Sequence, residues 1–142
     1  MNKSKFNSKA NVLKQIEGVL TFFHVPKLIT IDANYFNEKK IISIKNIFKS
    51  ALLIVRSSAS DEDGKLQSSA GEYDSILNIP TNSPEKIITA INTVISSYEK
   101  KRPLLPDDQV IIQEMVENVS ISGVVFTHDL NTGAPYYVIN YD

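Results

Sequence analysis

Apolar positions recur along this chain with two different periods, and the switches between them predict the order of elements. From Ser8 to Leu20 apolar side chains stand at Ala10, Val12, Leu13, Ile16, Val19 and Leu20, close to the spacing of one helix face. Asn7 or Ser8 is placed to cap that helix, and Gly18 marks its end or weakens its last turn. Pro26 then punctuates the chain, and Leu28 to Ile31 predicts a short strand. Asp32 is suited to cap a short helix through about Phe36, while residues 37 to 50 mix lysines with isoleucines and predict a loop followed by an amphipathic segment. Leu52 to Val55 are four consecutive aliphatics between polar residues, the pattern of a buried strand, with Arg56 at its exit.

Beyond a polar loop, Tyr73 to Ile79 alternates, predicting a strand with Tyr73, Ser75, Leu77 and Ile79 on one side and Asp74, Ile76 and Asn78 on the other. The clearest helix follows: Ser83 at the N-cap, Pro84 at the first position, and apolar residues at Ile87, Ile88, Ile91, Val94, Ile95 and Tyr98. Lys100, Lys101 and Arg102 suit its C-terminus as charges that compensate the helix dipole, and Pro103 forbids continuation. The last third predicts strands at Gln109 to Glu117, Ile121 to Thr127 and Tyr136 to Tyr141, the last two joined as an antiparallel hairpin through the turn-rich DLNTGAP. The fold class is therefore α+β, a mixed or antiparallel sheet with packed helices.

Composition narrows the class without naming a chemistry. A chain of 142 residues corresponds to about one domain, and 42% hydrophobic with 22% charged residues can bury a real core. No apolar run approaches the roughly 20 residues of a membrane span, and the lysine-bearing N-terminus lacks the apolar stretch of a secretory signal, which points to a cytoplasmic protein. The absence of cysteine excludes disulfides and thiolate metal sites, and two histidines, His24 and His128, do not make a histidine-rich one. A net charge of -1 offers no general attraction to nucleic acid or to an anionic membrane, so any phosphate binding must be local.

The local chemistry concentrates after Arg56. Residues 57 to 71 contain five serines, two glycines and no aromatic, a supply of hydroxyls and approachable amides that, beside a cation, suits an oxyanion such as polyphosphate. The alternative is a solvated loop whose arginine pairs with Asp61, Glu62 or Asp63, and the loop taken alone slightly favours it. Lys9 is a second unusual cation, because the first turn of a helix does not favour positive charge. A phosphate shared between Lys9 and the helix N-terminus would explain it, as would simple exposure.

Several motifs in sequence order carry a resemblance. IVRSSASDED followed by SSAGEYDSILNI, then VIIQEMV at 110 to 116 and SGVVFTHDLNTG at 122 to 133, resemble the N-terminal nucleotide-binding domain of the phosphoenolpyruvate synthase and pyruvate phosphate dikinase family, an ATP-grasp relative. NSKANVLKQI and VPKLITIDANYF resemble that family's lysine motif and Val-Pro strand, so the resemblance runs from about Asn7 to the end of the chain. It implies that residues 1–142 are part of an ATP-binding lobe within a longer enzyme, one that uses ATP and Mg2+ to phosphorylate a histidine in a separate domain and passes the phosphoryl group to a small-molecule acceptor. Pyruvate is the leading acceptor. Amide or hydroxyl acceptors, as in glutamine kinases and drug phosphotransferases, are the alternative, and a free-standing nucleotide-binding module is a third reading.

Residue by residue, the resemblance implies that Lys9 and Arg56 contact phosphate and act in transfer, and that Gly71 allows backbone to approach the phosphates. It implies a small hydroxyl near the nucleotide at Ser75, Gln113 beside the adenine, and backbone and apolar contact to the base from Glu114, Met115 and Val116. No metal ligand is assigned; those are expected from the second lobe, and weak or absent ATP binding is expected of these residues alone. Two positions depart from the family pattern. Asn7 and Ser8 stand where two glycines are usual, which puts close phosphate approach there in question, and Leu130 replaces a proline of the hairpin. His24 and His128 are read as structural or exposed.

Overall fold

Residues 8–60 and 74–142 are described by the computed structural model of the chain. At its centre lie β1 (Leu28–Asp32), β2 (Leu52–Ser58), β3 (Ser75–Pro80) and β4 (Gln109–Glu114), one sheet in the order β1-β4-β2-β3 with every neighbouring pair antiparallel. Because β3 and β4 both run against β2, they are parallel to each other, and joining them needs a long crossover. The 16-residue helix α2 (Pro84–Glu99) supplies it. A shorter helix, α1 (Lys9–Ile16), precedes β1. β5 (Gly123–Phe126) and β6 (Val138–Tyr141) pair antiparallel in a sheet of their own.

Alternation along the inner strands assigns the two faces of the sheet. Leu53 and Val55 of β2 and Val110 and Ile112 of β4 are all 0% exposed and belong to one core with Ile87, Ile91, Val94 and Tyr98 of α2. Ile41 and Ile44, from a 3-10 helix at Glu38–Asn46, and Phe48 complete it. Each fully buried aliphatic of this kind contributes roughly 1.5–3 kcal/mol of transfer free energy. The intervening residues of β2 and β4 lie on the opposite face, where α1 packs: Ala10 and Leu13 cluster with Val25, Leu28 and Ile111. This second cluster is small, and it leaves part of the face uncovered.

The elements differ from the sequence expectations in ways with local causes. α1 stops at Ile16, and Gly18 takes a φ of +80° just beyond it, so Val19 and Leu20 fall outside the helix and are exposed. Asp32 ends a strand instead of capping a helix; its carboxylate accepts the Asn34 amide at 2.9 Å in a tight turn. β2 continues through Ser58, which puts Arg56 inside the strand and not at its exit. β4 ends at Glu114, and β5 and β6 are each shorter than predicted. The hairpin itself is antiparallel, and Asp129 accepts the amides of Asn131 and Thr132 in its turn.

β3 departs most from its pattern. Leu53 pairs with Ile79 but Val55 pairs with Ile76, so two residues, Leu77 and Asn78, oppose Ile54 alone. This β-bulge holds Asn78 at a φ of +58° and reverses the alternation after Ile76. Ile76 and Ile79, predicted on opposite sides, both join the α2 core, while Leu77 points to the other face.

Candidate functional site

The uncovered part of the α1 face is a cleft of about 430 Å3. Its floor is the even-numbered side of β2, Ile54 and Arg56, together with Gln113 of β4. Its walls come from Leu13 of α1, the His24–Pro26 segment, Leu77 at the bulge, and residues 114–116 as the chain leaves β4. Arg56 is half-buried and stands in register with Ser75 on one side and Ile111 on the other. Among the described residues no carboxylate pairs with it; Asp61, Glu62 and Asp63 lie outside the described residues. A guanidinium held this way is a strong donor for a bidentate oxyanion.

The end of β4 that borders the cleft is tied down by hydrogen bonds. Gln113 is buried, and its Nε2 donates to the Pro26 carbonyl at 3.1 Å, tying β4 to the Val-Pro segment. The Glu114 amide donates to the Lys27 carbonyl at 2.9 Å and the Met115 amide to the Leu52 carbonyl at 3.0 Å. Glu114 Oε1 accepts the amides of Lys49 and Ser50 at 2.6 and 3.2 Å. Desolvation pushes the Glu114 pKa upward, but these amides, with the Lys27 backbone and charge, outweigh it and hold the carboxyl below its ordinary value. Met115 is fixed through its sulfur, which accepts the Asn78 amide of the bulge at 3.1 Å. The carboxylate of Glu114 is thus a structural cap, and what the segment presents to the cleft is apolar surface and backbone.

Of the sequence-predicted residues, Arg56, Gln113, Glu114, Met115 and Val116 line this one cleft. Ser75 pairs with Arg56 at the exposed start of β3. Gly71 lies outside the described residues. Lys9 is at the first position of α1, whose next turn contributes Leu13, but Lys9 is not itself among the lining residues. The idea that a phosphate shares the helix N-terminus with Lys9 meets an obstacle: the Ala10 amide donates to Ser58 Oγ at 2.9 Å and the Asn11 amide to Ser8 Oγ at 3.3 Å. Both amides are already occupied.

Three features were not read from the sequence. His24, expected to be structural or exposed, is exposed and on the cleft wall, and nothing in its sequence context signals that. Ile54 could have been found by counting two back from Arg56 along a strand. Asp108 carries no signal either, yet it is 0% exposed and anchors the far end of β2. It binds Arg102 through two bonds of 2.7 and 3.0 Å and accepts the Ser60 amide at 3.0 Å and the Leu105 amide at 2.7 Å. Burial raises its pKa, but the Arg102 hydrogen bonds, then the Ser60 and Leu105 amides, dominate and lower it from 3.8 to about 2. Arg102 is therefore half of a partly buried ion pair and not simply a charge at the end of α2.

Among the described residues no group of three or more histidine or acidic side chains could hold a metal ion, and no helix is long and apolar enough to cross a membrane. Residues 31–141 match the family model described as pyruvate phosphate dikinase, AMP/ATP-binding domain. The chain is also 30% identical over 103 residues to the prodigiosin synthesizing transferase PigC of Serratia marcescens, an alignment covering 67% of this chain and 11% of that protein. The chain thus spans about a tenth of the length of this relative. No solved structure matches it.

Proposed function

This chain belongs to the pyruvate phosphate dikinase AMP/ATP-binding domain family, and from that premise we propose that its cleft is one wall of an ATP site. The observation that carries the reading is the convergence of Arg56 with the Gln113–Val116 segment on one sheet face, a cation at one end and an apolar, backbone-lined shelf at the other. The adenine lies on the shelf. With the Glu114 and Met115 amides already occupied, we assign the edge of the base to the Val116 amide. The polyphosphate runs toward Arg56, with Lys9 approaching from α1, Ser75 beside the arginine, and Gly71 where backbone meets phosphate.

The chemistry of such a wall is positioning and charge stabilisation. The Arg56 guanidinium binds phosphate oxygens in a fork, holds the transferring group in line, and offsets charge that spreads over its oxygens during transfer. Mg2+ would neutralise the same charge, with its ligands supplied by the second lobe of a longer protein of ATP-grasp type. There a histidine accepts the phosphoryl group and hands it to a small molecule, with pyruvate the leading acceptor and an amide or hydroxyl the alternative. The enzyme is a cytoplasmic phosphotransferase.

Titration calorimetry of the full-length protein with ATP tests the site. Loss of the Arg56 contacts, at about 1.5–3 kcal/mol for hydrogen bonds to a charged group, lowers ATP affinity by roughly 10- to 100-fold in Arg56→Ala. Unchanged affinity in that variant removes the assignment.

A further inference from the structure

A pair of buried hydroxyls connects the helix that begins with Lys9 to the strand that carries Arg56. Ser58 lies two residues beyond Arg56 on the same face of β2, and it is 0% exposed. Its Oγ accepts the amide of Ala10, also 0% exposed, at 2.9 Å. The Ser58 amide in turn donates to the hydroxyl of Tyr98 at 2.8 Å, and that hydroxyl donates to the Gln109 carbonyl at 2.7 Å. Ser58 and Gln109 are register partners on β2 and β4, so the α2 tyrosine bridges the two inner strands at the point where α1 docks.

Helix α1 has only eight residues and touches the sheet through a small apolar cluster, so packing alone defines its position weakly. A buried amide left without a partner is costly, which makes the Ala10–Ser58 bond the contact that sets how far the first turn of α1 stands from β2. Whatever sets that distance also sets the spacing of Lys9 from Arg56. We propose that Ser58, held by Tyr98, is a positioning residue that fixes the two cations at the separation a polyphosphate requires, while taking no part in holding the base. The inference rests on the nucleotide reading of the cleft.

The test compares ATP with adenosine, which lacks the phosphates, by calorimetry on the full-length protein. Ser58→Ala lowers ATP affinity roughly 10-fold and leaves adenosine affinity within about twofold, because only the cation spacing is disturbed. In a Lys9→Ala background the same substitution produces no further loss of ATP affinity, since the residue it positions is gone. Ser58→Thr, which keeps the acceptor oxygen, restores the native ratio of the two affinities. If Ser58→Ala does not fold, Tyr98→Phe carries the same comparison through the next bond of the chain. Parallel losses for ATP and adenosine, an unchanged ratio in the folded variant, or additive effects of Lys9→Ala and Ser58→Ala overturn the inference and leave the site reading standing. A native protein that binds neither ligand overturns the site reading, and this inference with it.

Discussion

The two faces of the central sheet are made from the same strands and do opposite work. On the α2 face Leu53, Val55, Val110 and Ile112 meet a long helix and are sealed from water. On the α1 face the residues between them, Ile54, Arg56 and Gln113, meet a short helix and open into a cleft. Successive side chains of a strand point oppositely, so one seven-residue strand can build a sealed core on one side and line an open cleft on the other. The contrast teaches where a domain of this size keeps its polar chemistry: on the face that the larger helix does not cover.

The contrast has measurable consequences, and the largest concerns the sealed face. Ile112→Ala removes a fully buried side chain and costs about 2–5 kcal/mol in urea unfolding, whereas Ile54→Ala, which borders the cleft, costs well under half of that. Equal losses would mean that the cleft face is as closed as the other. Arg56→Ala reverses the pattern: the roughly 10- to 100-fold loss of ATP affinity comes with a change in stability within about 1 kcal/mol. A loss of several kcal/mol there would make the arginine a structural residue.

Asp108 supplies a pH signature at the end of β2. Its carboxyl is lowered from 3.8 to about 2 in the folded chain, so the folded state binds the proton less readily than the unfolded one. The corresponding stabilisation, on the order of 2 kcal/mol, is present above pH 4 and is lost as pH falls from about 4 through about 2. Acid unfolding of Asp108→Asn has a correspondingly shallower limb in that window, although Glu114 and Asp129, whose carboxyls are also lowered, continue to contribute. An unchanged limb would place the acid sensitivity elsewhere. The smallest effect is at the bulge: Asn78→Val puts a β-branched residue at positive φ and costs about 1–2 kcal/mol, while Asn78→Gly is close to neutral. If both variants unfold at the native midpoint, the left-handed turn does not set the register of β3.

Legibility differed from element to element for reasons the packing explains. The α2 helix was readable because its apolar stripe, its Pro84 and the Pro103 stop agree with one another and with burial. β3 was readable as a strand but not in its facing, because a bulge leaves no mark in alternation when Ile76 and Ile79 are both isoleucine. Arg56 and Gln113 could be singled out as residues, and nothing local showed that they share a face, which follows from pairing Ile54 with Gln113 across 59 positions of sequence. Asp108 carries no local signal; only the meeting of Arg102, Ser60 and Leu105 around it makes it a buried anchor.

What the amino-acid order determined by itself is the α+β element series, the family to which the motifs belong, and the residue types available for phosphate chemistry. Those rest on periodicity and on short contiguous runs, which the chain carries at every point. Tertiary structure decided which side of each strand is sealed, that the Ala10 and Asn11 amides are already taken, that Glu114 caps a loop, and that Ser58 bonds both Ala10 and Tyr98. Each of those outcomes depends on partners far apart in sequence whose meeting is fixed by strand register and helix docking, and a one-residue slip in the register of a strand would exchange its two faces.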